Sequence, residues 1–359
     1  MPVFWVPLIP ALSRRGGREI VFDSLWSLSV RMVDPSPLEN KLRQIAALDV
    51  GICRFDAPLS EQCSWSIGGP VDLLVEPENV GQVARLVKAA RAADIPLLVI
   101  GQGTNLLFDD AGLRGIVLKV AGRMAALRIE GTKIVAEGGV WVPQLARSTM
   151  RAGISGFEHT IGIPGTLGGL VLMNGGSQRR GIGENVRRVW VVEPDGTERC
   201  LSAAECGFAY RQSALQQSGA VVVRVELEGG ESSAAEIRRV MLADLRERRA
   251  KFPRKQPNCG SVFLSTSKMH ATVGPPGRII EQAGLKGVRI GQAEVSPQHA
   301  NFIVNLGGAT ACDVLALIGL VRHAVKEQIG FDLRCEVRYV SPQGVIMPAD
   351  AADGERVPA

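Results

Sequence analysis

The chain has 359 residues, room for two or three domains, and its 46% apolar and 21% charged residues are ordinary for a globular protein. The net charge of +5 comes without any run of five or six Lys/Arg, so no nucleic-acid surface is suggested, and no stretch reaches the roughly 18 apolar residues of a spanning helix. Seven cysteines, odd in number and without CxxC spacing, read as reduced thiols in a cytoplasmic protein, and four scattered histidines without HExxH argue against a metal site.

The first forty residues look foreign to the rest. VFWVPLIPAL is a short apolar run broken by two prolines, and its Arg pair follows the run, whereas a secretory signal carries its positive charge in front. Residues 1–47 are therefore set apart as a weakly ordered extension, with Met32 as an alternative start. VDLLVEP then reads as a strand, and Val80, Val83, Ala84, Leu86, Val87 and Ala90 fall at helical spacing. LLVI at 97–100 is a buried strand followed by the loop GQGTN. GIVLKV and KIVAEGG are strands, and WVPQLARSTMRAG is a helix with Pro143 near its start and Gly153 after its end. VRRVWVVEPDGTERCLS reads as a hairpin around Asp195-Gly196, and AVVVRVELEGG as a further strand. A long amphipathic helix ends before Pro253, with Ser232 or Ser233 as its cap and Glu236 nearby. The remainder reads strand (259–264), helix (277–284), strand (301–305), helix (310–329) and strand (333–340), with a loose tail over 342–359. The pattern is α+β. A composition shift around 231–257 marks the candidate boundary between residues 48–230 and 231–341.

Two glycine-rich loops carry the first chemical signal. Gly101, Gln102, Gly103, Thr104 and Asn105 follow a buried strand, but Leu106 stands where a dinucleotide fingerprint needs its third glycine, and no acidic residue lies about 20 positions on. No GxxxxGK[ST] occurs. The second loop contains Gly162, Ile163, Pro164, Gly165, Thr166, Gly168 and Gly169 and precedes a short apolar helix. Bare backbone turns N–H groups toward an anion, and a helix N-terminus adds partial positive charge. The two loops are thus candidates for the walls of a phosphate cradle, and taken singly either one is equally an ordinary tight turn.

The stretches SIGGPVDLLVEP, GQGTNLL, GIPGTLGG with MNGG, AYRQS, NCGSVF, IIEQAGLKG, HANFIVN and CEVRYV follow one another in an order that resembles the UDP-N-acetylenolpyruvoylglucosamine reductase (MurB) family over residues 48–341. The compact C-terminal part is similar to the shorter type of that family. The resemblance implies an FAD-binding domain of the vanillyl-alcohol-oxidase (PCMH) type in two subdomains, followed by a C-terminal α+β substrate-binding domain. It implies non-covalently bound FAD, NADPH as hydride donor, and reduction of UDP-N-acetylglucosamine enolpyruvate to UDP-N-acetylmuramate for peptidoglycan synthesis. No nucleic-acid or membrane partner is expected, and the expected state is a monomer.

Three residues match the family's catalytic positions. Arg211 in AYRQS would set its planar fork beside the substrate carboxylate, where charge grows in the transition state. Ser261 in NCGSVF would protonate C2, and Glu336 in CEVRYV would act near the carboxylate or as a general acid. Tyr210, Lys251 and Asn258 are the residues expected to bind substrate. Read without the family, Arg211 is a surface residue and Ser261 turn chemistry. Lys251 is then the basic end of a helix, and Glu336 shares a charged strand face with Arg334 and Arg338. The chain also departs from the family. Leu264-Ser265-Thr266 replaces the Lys-Asn-Pro that follows the serine motif in many members, leaving Lys268 and His270 as nearby substitutes, and QCSW stands where Thr and an aromatic-Arg pair are expected. Two other readings stay open on the residues alone: another FAD-dependent oxidase or dehydrogenase sharing only the first domain, and a non-catalytic flavin- or sugar-nucleotide-binding relative.

Overall fold

The computed structural model describes residues 36–354, so the proline-broken run at 3–12 and the alternative start at Met32 lie outside the described residues. In chain order the elements are α1 (Pro37–Ala46), β1 (Ile52–Pro58), β2 (Pro70–Glu76), α2 (Val80–Ala92), β3 (Leu97–Ile100), β4 (Leu106–Phe108), β5 (Leu113–Lys119), β6 (Leu127–Glu130), β7 (Lys133–Glu137), α3 (Val142–Arg151), β8 (Ile154–Ser155), α4 (Leu167–Leu172), β9 (Val186–Val192) and β10 (Glu198–Ser202). They continue with α5 (Leu215–Ser218), β11 (Val221–Glu228), β12 (Gly230–Glu231), α6 (Ala234–Lys251), α7 (Ser267–Thr272), α8 (Pro276–Gln282), β13 (Arg289–Ile290), β14 (Ala293–Val295), β15 (Ile303–Asn305), α9 (Ala311–Ile329), β16 (Arg338–Val340) and β17 (Ile346–Pro348).

The first sheet runs β1-β2-β5-β3, with β5 parallel to both β2 and β3. Its central strands are apolar on both sides, as a doubly covered parallel sheet requires. Leu73, Val75, Ile116 and Leu118 pack with Leu42 and Ile45 of α1 and Val83, Leu86 and Val87 of α2. Leu74, Leu98, Ile100 and Val117 face the other way, into a core shared with Val262, Phe263, Ile279, Ile280, Val314, Ile318 and Val337. The second sheet runs β10-β9-β11-β7-β6, and its apolar face packs on α3 and α4. Local chemistry places the long helices. Ser233 caps α6 through the Glu236 N–H, and Thr310 and Asp313 close a reciprocal capping box on α9, which stops at Gly330 with φ 73°.

Several expectations are corrected. Residues 37–46 form an ordered helix with Leu42 and Ile45 buried. The region after Ser341 adds β17 to the sheet β17-β16-β4 and buries Ala349 and Ala352. The expected strand over 259–264 is a loop joined to Cys335 by one bridge at Phe263, and that over 333–340 is regular only from Arg338. Asp350 explains the second shortening: its Oδ1 takes the Cys335 N–H at 2.8 Å, so that donor leaves the ladder. Trp65, in the departing QCSW stretch, is fully buried and donates from Nε1 to Ile303 O at 2.8 Å, while Asn305 Nδ2 donates to Trp65 O at 2.9 Å.

His159 precedes the second glycine loop, and neither of its ring nitrogens has a hydrogen-bond partner. Burial, helped by Arg180, depresses its pKa to about 4 against the opposing pull of Glu184 and Glu158. The unfolded chain therefore binds the proton first, and stability falls as pH drops from about 6.5 through 4. Urea unfolding at pH 7 and pH 4.5 should show His159→Phe losing less stability than the parent, by up to about 3 kcal/mol. Equal losses in the two proteins would refute this account of His159.

Candidate functional site

Residues 101–105 leave β3 and turn into β4. None of the five backbone N–H groups of this loop donates to an acceptor among the described residues, although Gly103 is buried and Thr104 and Asn105 are half-buried. Backbone donors at such depth need an acceptor, and a run of five suits the oxygens of a phosphate or pyrophosphate. The second loop lies directly against the first. A Cβ on Gly101 would collide with the Thr166 side chain, and one on Gly165 would sit 3.1 Å from Thr104 Oγ1. Gly103, at φ 57°, is pressed against the carbonyl of Gln62. The two glycine-rich loops are thus brought together, and their geometry fits the pyrophosphate of the expected flavin.

The helix N-terminus does not contribute as expected. The Leu167 N–H donates to Val140 O at 2.8 Å and the Gly168 N–H to Gly138 O at 2.7 Å, and the Gly169 N–H faces the cap residue Thr166 at 3.5 Å. The first donors of α4 are spent inside the protein. Gly168 is bare because it crosses the 138 backbone, and Gly162 because Arg248 of α6 lies on it. Ile163 is half-buried, while Gln102 and Pro164 are exposed at the rim.

Arg211 and Glu336 meet from two separate segments, and the backbone next to Ser261 pairs with that of Glu336. Arg211 has φ 56°; its Nε lies 2.9 Å from Glu336 Oε1, without the alignment of a hydrogen bond, and its Nη2 donates to Gly176 O at 2.9 Å. MNGG is the platform for this arginine. Asn174, itself at φ 41°, donates to Ala209 O at 2.7 Å and accepts from the Gly183 N–H at 2.9 Å. Gln216 holds the other side, donating to Arg211 O and accepting from Arg338 Nη2 at 3.3 Å. The Glu336 pKa is raised: burial pushes it up and Arg211 opposes this only in part. Arg334 turns to Asp350 and Arg338 to Gln216, so the expected charged face is divided among separate partners, and only Glu336 meets Arg211.

Ser261 is half-buried, and its hydroxyl makes no hydrogen bond among the described residues. Its neighbour Val262 fixes it beside Glu336: the Glu336 N–H donates to Val262 O at 2.8 Å. Asn301 clamps the same loop, donating to Phe263 O and accepting from the Phe263 N–H, both at 2.9 Å. Asn258 is occupied in the loop itself, donating to Pro253 O and Gln256 O and accepting from the Gly260 N–H. Tyr210, half exposed, donates to Ser265 O at 2.9 Å, spanning from the arginine's loop to the segment after the serine. Lys251 is exposed at the end of α6, with Nζ over the Phe252 ring in a cluster with His299 and Phe302. Where Lys-Asn was expected, Ser265 Oγ meets His270 Nε2 at 3.0 Å, and Lys268 is exposed.

Asn174, Gln216 and Asn301 were missed by sequence reasoning. Each acts on backbone groups; Asn174 and Asn301 stand inside the MNGG and HANFIVN stretches, whereas Gln216 lies in none of the motif stretches. Among the described residues no group of three His, Cys, Asp or Glu side chains could hold a metal ion, and no helix is long and apolar enough to cross a membrane.

The family model for the UDP-N-acetylenolpyruvoylglucosamine reductase C-terminal domain matches residues 252–340, and an FAD binding domain model matches 71–202. UDP-N-acetylenolpyruvoylglucosamine reductase 1 of Corynebacterium glutamicum is 45% identical over 303 residues, covering 84% of this chain and 90% of the relative. Reductase 2 of Symbiobacterium thermophilum is 40% identical, covering 84% and 96%. The crystal structure of the Thermus caldophilus reductase (MurB) superposes with a TM-score of 0.69 at 33% identity, covering 80% of this chain and 99% of that one. With two glycine loops in contact, an arginine–glutamate pair on the segment next to Ser261, and these matches along most of its length, the chain belongs to the UDP-N-acetylenolpyruvoylglucosamine reductase family.

Proposed function

We propose that Arg211, Ser261 and Glu336 carry the NADPH-dependent reduction of UDP-N-acetylglucosamine enolpyruvate to UDP-N-acetylmuramate. As a member of its family the chain is an FAD-dependent oxidoreductase of peptidoglycan precursor synthesis that acts on a UDP-sugar. The observation that carries the residue roles is the Arg211–Glu336 contact at 2.9 Å, with Ser261 held beside it by Val262. Bound FAD supplies the hydride carrier between NADPH and the enolpyruvyl group. Backbone N–H groups of residues 101–105, together with Gly165 and Thr166, would hold its pyrophosphate.

Arg211 offers a cation to the enolpyruvyl carboxylate, whose charge increases as C3 takes hydride and C2 becomes enolate-like. The glutamate keeps the guanidinium in place and, with its pKa raised, is closer to holding a proton at neutral pH than an exposed carboxyl. Ser261 gives its proton to C2. An unpartnered hydroxyl is a weak acid, but the enolate is strongly basic and the position is fixed. Tyr210, Lys251 and Asn258 are assigned to substrate binding: Tyr210 at the crossing between the two halves, Lys251 as an exposed cation for phosphate, and Asn258 through the loop it shapes. We take residues 48–230 as the flavin-binding part and 231–341 as the substrate-binding part. The site draws all three catalytic residues from one chain, which supports a monomer, and its nucleotide substrates and free cysteines support a cytoplasmic enzyme. The alternative of another FAD-dependent oxidase or dehydrogenase sharing only the first domain lacks a use for the C-terminal domain.

NADPH should bleach the yellow enzyme anaerobically, and the enolpyruvyl sugar should restore the colour. Ser261→Ala should keep the first step and slow the second by roughly 10²–10⁴-fold in stopped-flow traces. Normal rates in both steps would remove Ser261 from the mechanism. Gly103→Ala, where positive φ meets a crowded carbonyl, should weaken flavin binding by roughly tenfold or more in a fluorescence titration. Gly131→Ala, at the same φ but in open space, should leave flavin affinity unchanged. Unaltered affinity in Gly103→Ala would show that the first loop does not hold the flavin.

A further inference from the structure

Two buried cysteines meet beneath the first glycine loop. Cys63 Sγ lies 3.0 Å from Leu106 O, and Cys259 Sγ lies 3.4 Å from the same oxygen and 3.5 Å from Gly103 O. Two sulfurs on one acceptor are necessarily close neighbours, although 196 positions separate them in the chain. Neither sits in a regular element: Cys63 ends a short 3-10 turn, and Cys259 is in the loop before Gly260, which has φ 77°. Their backbones can shift without breaking a helix or strand. The remaining thiols are elsewhere: Cys200 and Cys312 are exposed, Cys53 is half-buried, and Cys206 and Cys335 are buried in other contacts.

We propose that Cys63 and Cys259 are a peroxide-sensitive pair whose disulfide weakens flavin binding, an inference that rests on the flavin reading of the 101–105 loop. Peroxide takes the electron pair of the Cys63 sulfur, giving a sulfenic acid and releasing one water. The Cys259 sulfur then attacks that sulfur, forming the S–S bond and releasing the second water, so two thiols are oxidised and one peroxide is reduced to two waters. Contact with the Cys259 thiol and with backbone N–H groups of residues 65–67 lowers the Cys63 pKa, and burial raises that of Cys259, so Cys63 is the attacking sulfur. The consequence follows from the hydrogen bonds. Both S–H donors vanish on oxidation: Leu106 O, just past the cofactor loop, loses both thiol contacts, and Gly103 O, at the middle of the loop, keeps only the Ser64 N–H at 3.1 Å.

The test treats FAD-loaded protein with hydrogen peroxide, quenches it with catalase, maps disulfides by mass spectrometry after alkylation in denaturant, and titrates FAD by fluorescence. A Cys63–Cys259 peptide should appear, and the flavin Kd should rise by about tenfold, reversed by dithiothreitol. Cys259→Ser keeps a donor on the same carbonyls but cannot form the bond, so it should bind flavin normally and ignore peroxide. Cys200→Ser and Cys312→Ser should respond as the parent does. Cys63 and Cys259 recovered as thiols, or paired with other cysteines, would overturn the proposal. So would a rise in Kd that Cys259→Ser shares. An untreated parent that binds no FAD would instead refute the flavin reading on which the pair's role depends.

Discussion

The structure depends on one pair of hydrogen bonds at Asn105, one through its backbone carbonyl and one through its side-chain amide. The Arg338 N–H donates to Asn105 O at 3.0 Å, and Asn105 Nδ2 donates to Glu336 O at 3.2 Å. This pair of bonds begins the parallel pairing of β4 with β16, which joins chain segments more than 200 positions apart. It places the end of the cofactor loop next to the segment that carries Glu336. Residues 101–105 and the Arg211–Glu336 pair cannot then drift apart, because the same asparagine ties the loop to the segment that carries Glu336. The shared core beneath, with Leu98 and Val117 on one side and Val262 and Val337 on the other, makes this juncture part of the folding unit and not a mobile seam.

The Arg211–Glu336 pair is the electrostatic counterpart of that junction. Each partner is mostly buried, and a buried pair of this kind returns little net stability, because the desolvation of both charges offsets their attraction. Its retention makes better sense as positioning. The guanidinium is tied by Gly176 O and by the carboxylate, yet its Nε is not aligned on the oxygen. An arginine held in place without having its donors saturated can still answer a new anion. The positive φ of Arg211 belongs to the same arrangement, since a left-handed backbone at a non-glycine residue persists only where surrounding contacts hold it, and Asn174 and Gln216 supply those contacts on either side.

How much of this could be read from the residues depended on the range of the interaction. Helices α2, α6 and α9 were legible because apolar periodicity and caps are local, as was the hairpin of β9 and β10 around Asp195-Gly196. The two glycine loops do lie against each other, but the reasons for their bareness are not uniform. Gly103 and Gly165 serve the turn, Gly168 makes room for backbone and Gly162 for Arg248. Spacing cannot tell these apart, since each needs a partner remote in sequence. The irregular stretches at 259–264 and 333–337 read as strands for a similar reason: Val262 and Phe263 are both apolar and buried, and Leu333, Cys335 and Val337 alternate inward, but Asn301 and Asp350 take the donors that a ladder would have used.

The departures from the family pattern bear differently on the site. Replacing an aromatic-Arg pair by Ser64-Trp65 leaves a full indole in the core, satisfied by Ile303 O, so that change is absorbed by packing. The loss of Lys-Asn after Phe263 removes a cation and an amide, yet the segment keeps its attachment, because Tyr210 holds it through the carbonyl of Ser265, and a carbonyl is present whatever the side chain. The serine side chain is then free to pair with His270, which brings a titratable ring to the same edge. A backbone-anchored segment can exchange its side chains without moving Ser261, since the adjacent Val262 and Phe263 are held by Asn301 and by the Glu336 N–H, none of them within the changed positions. The position of Ser261 and the side chains after Phe263 are thus separable along this loop, and the departure from the family pattern falls on side chains that the backbone attachment does not need.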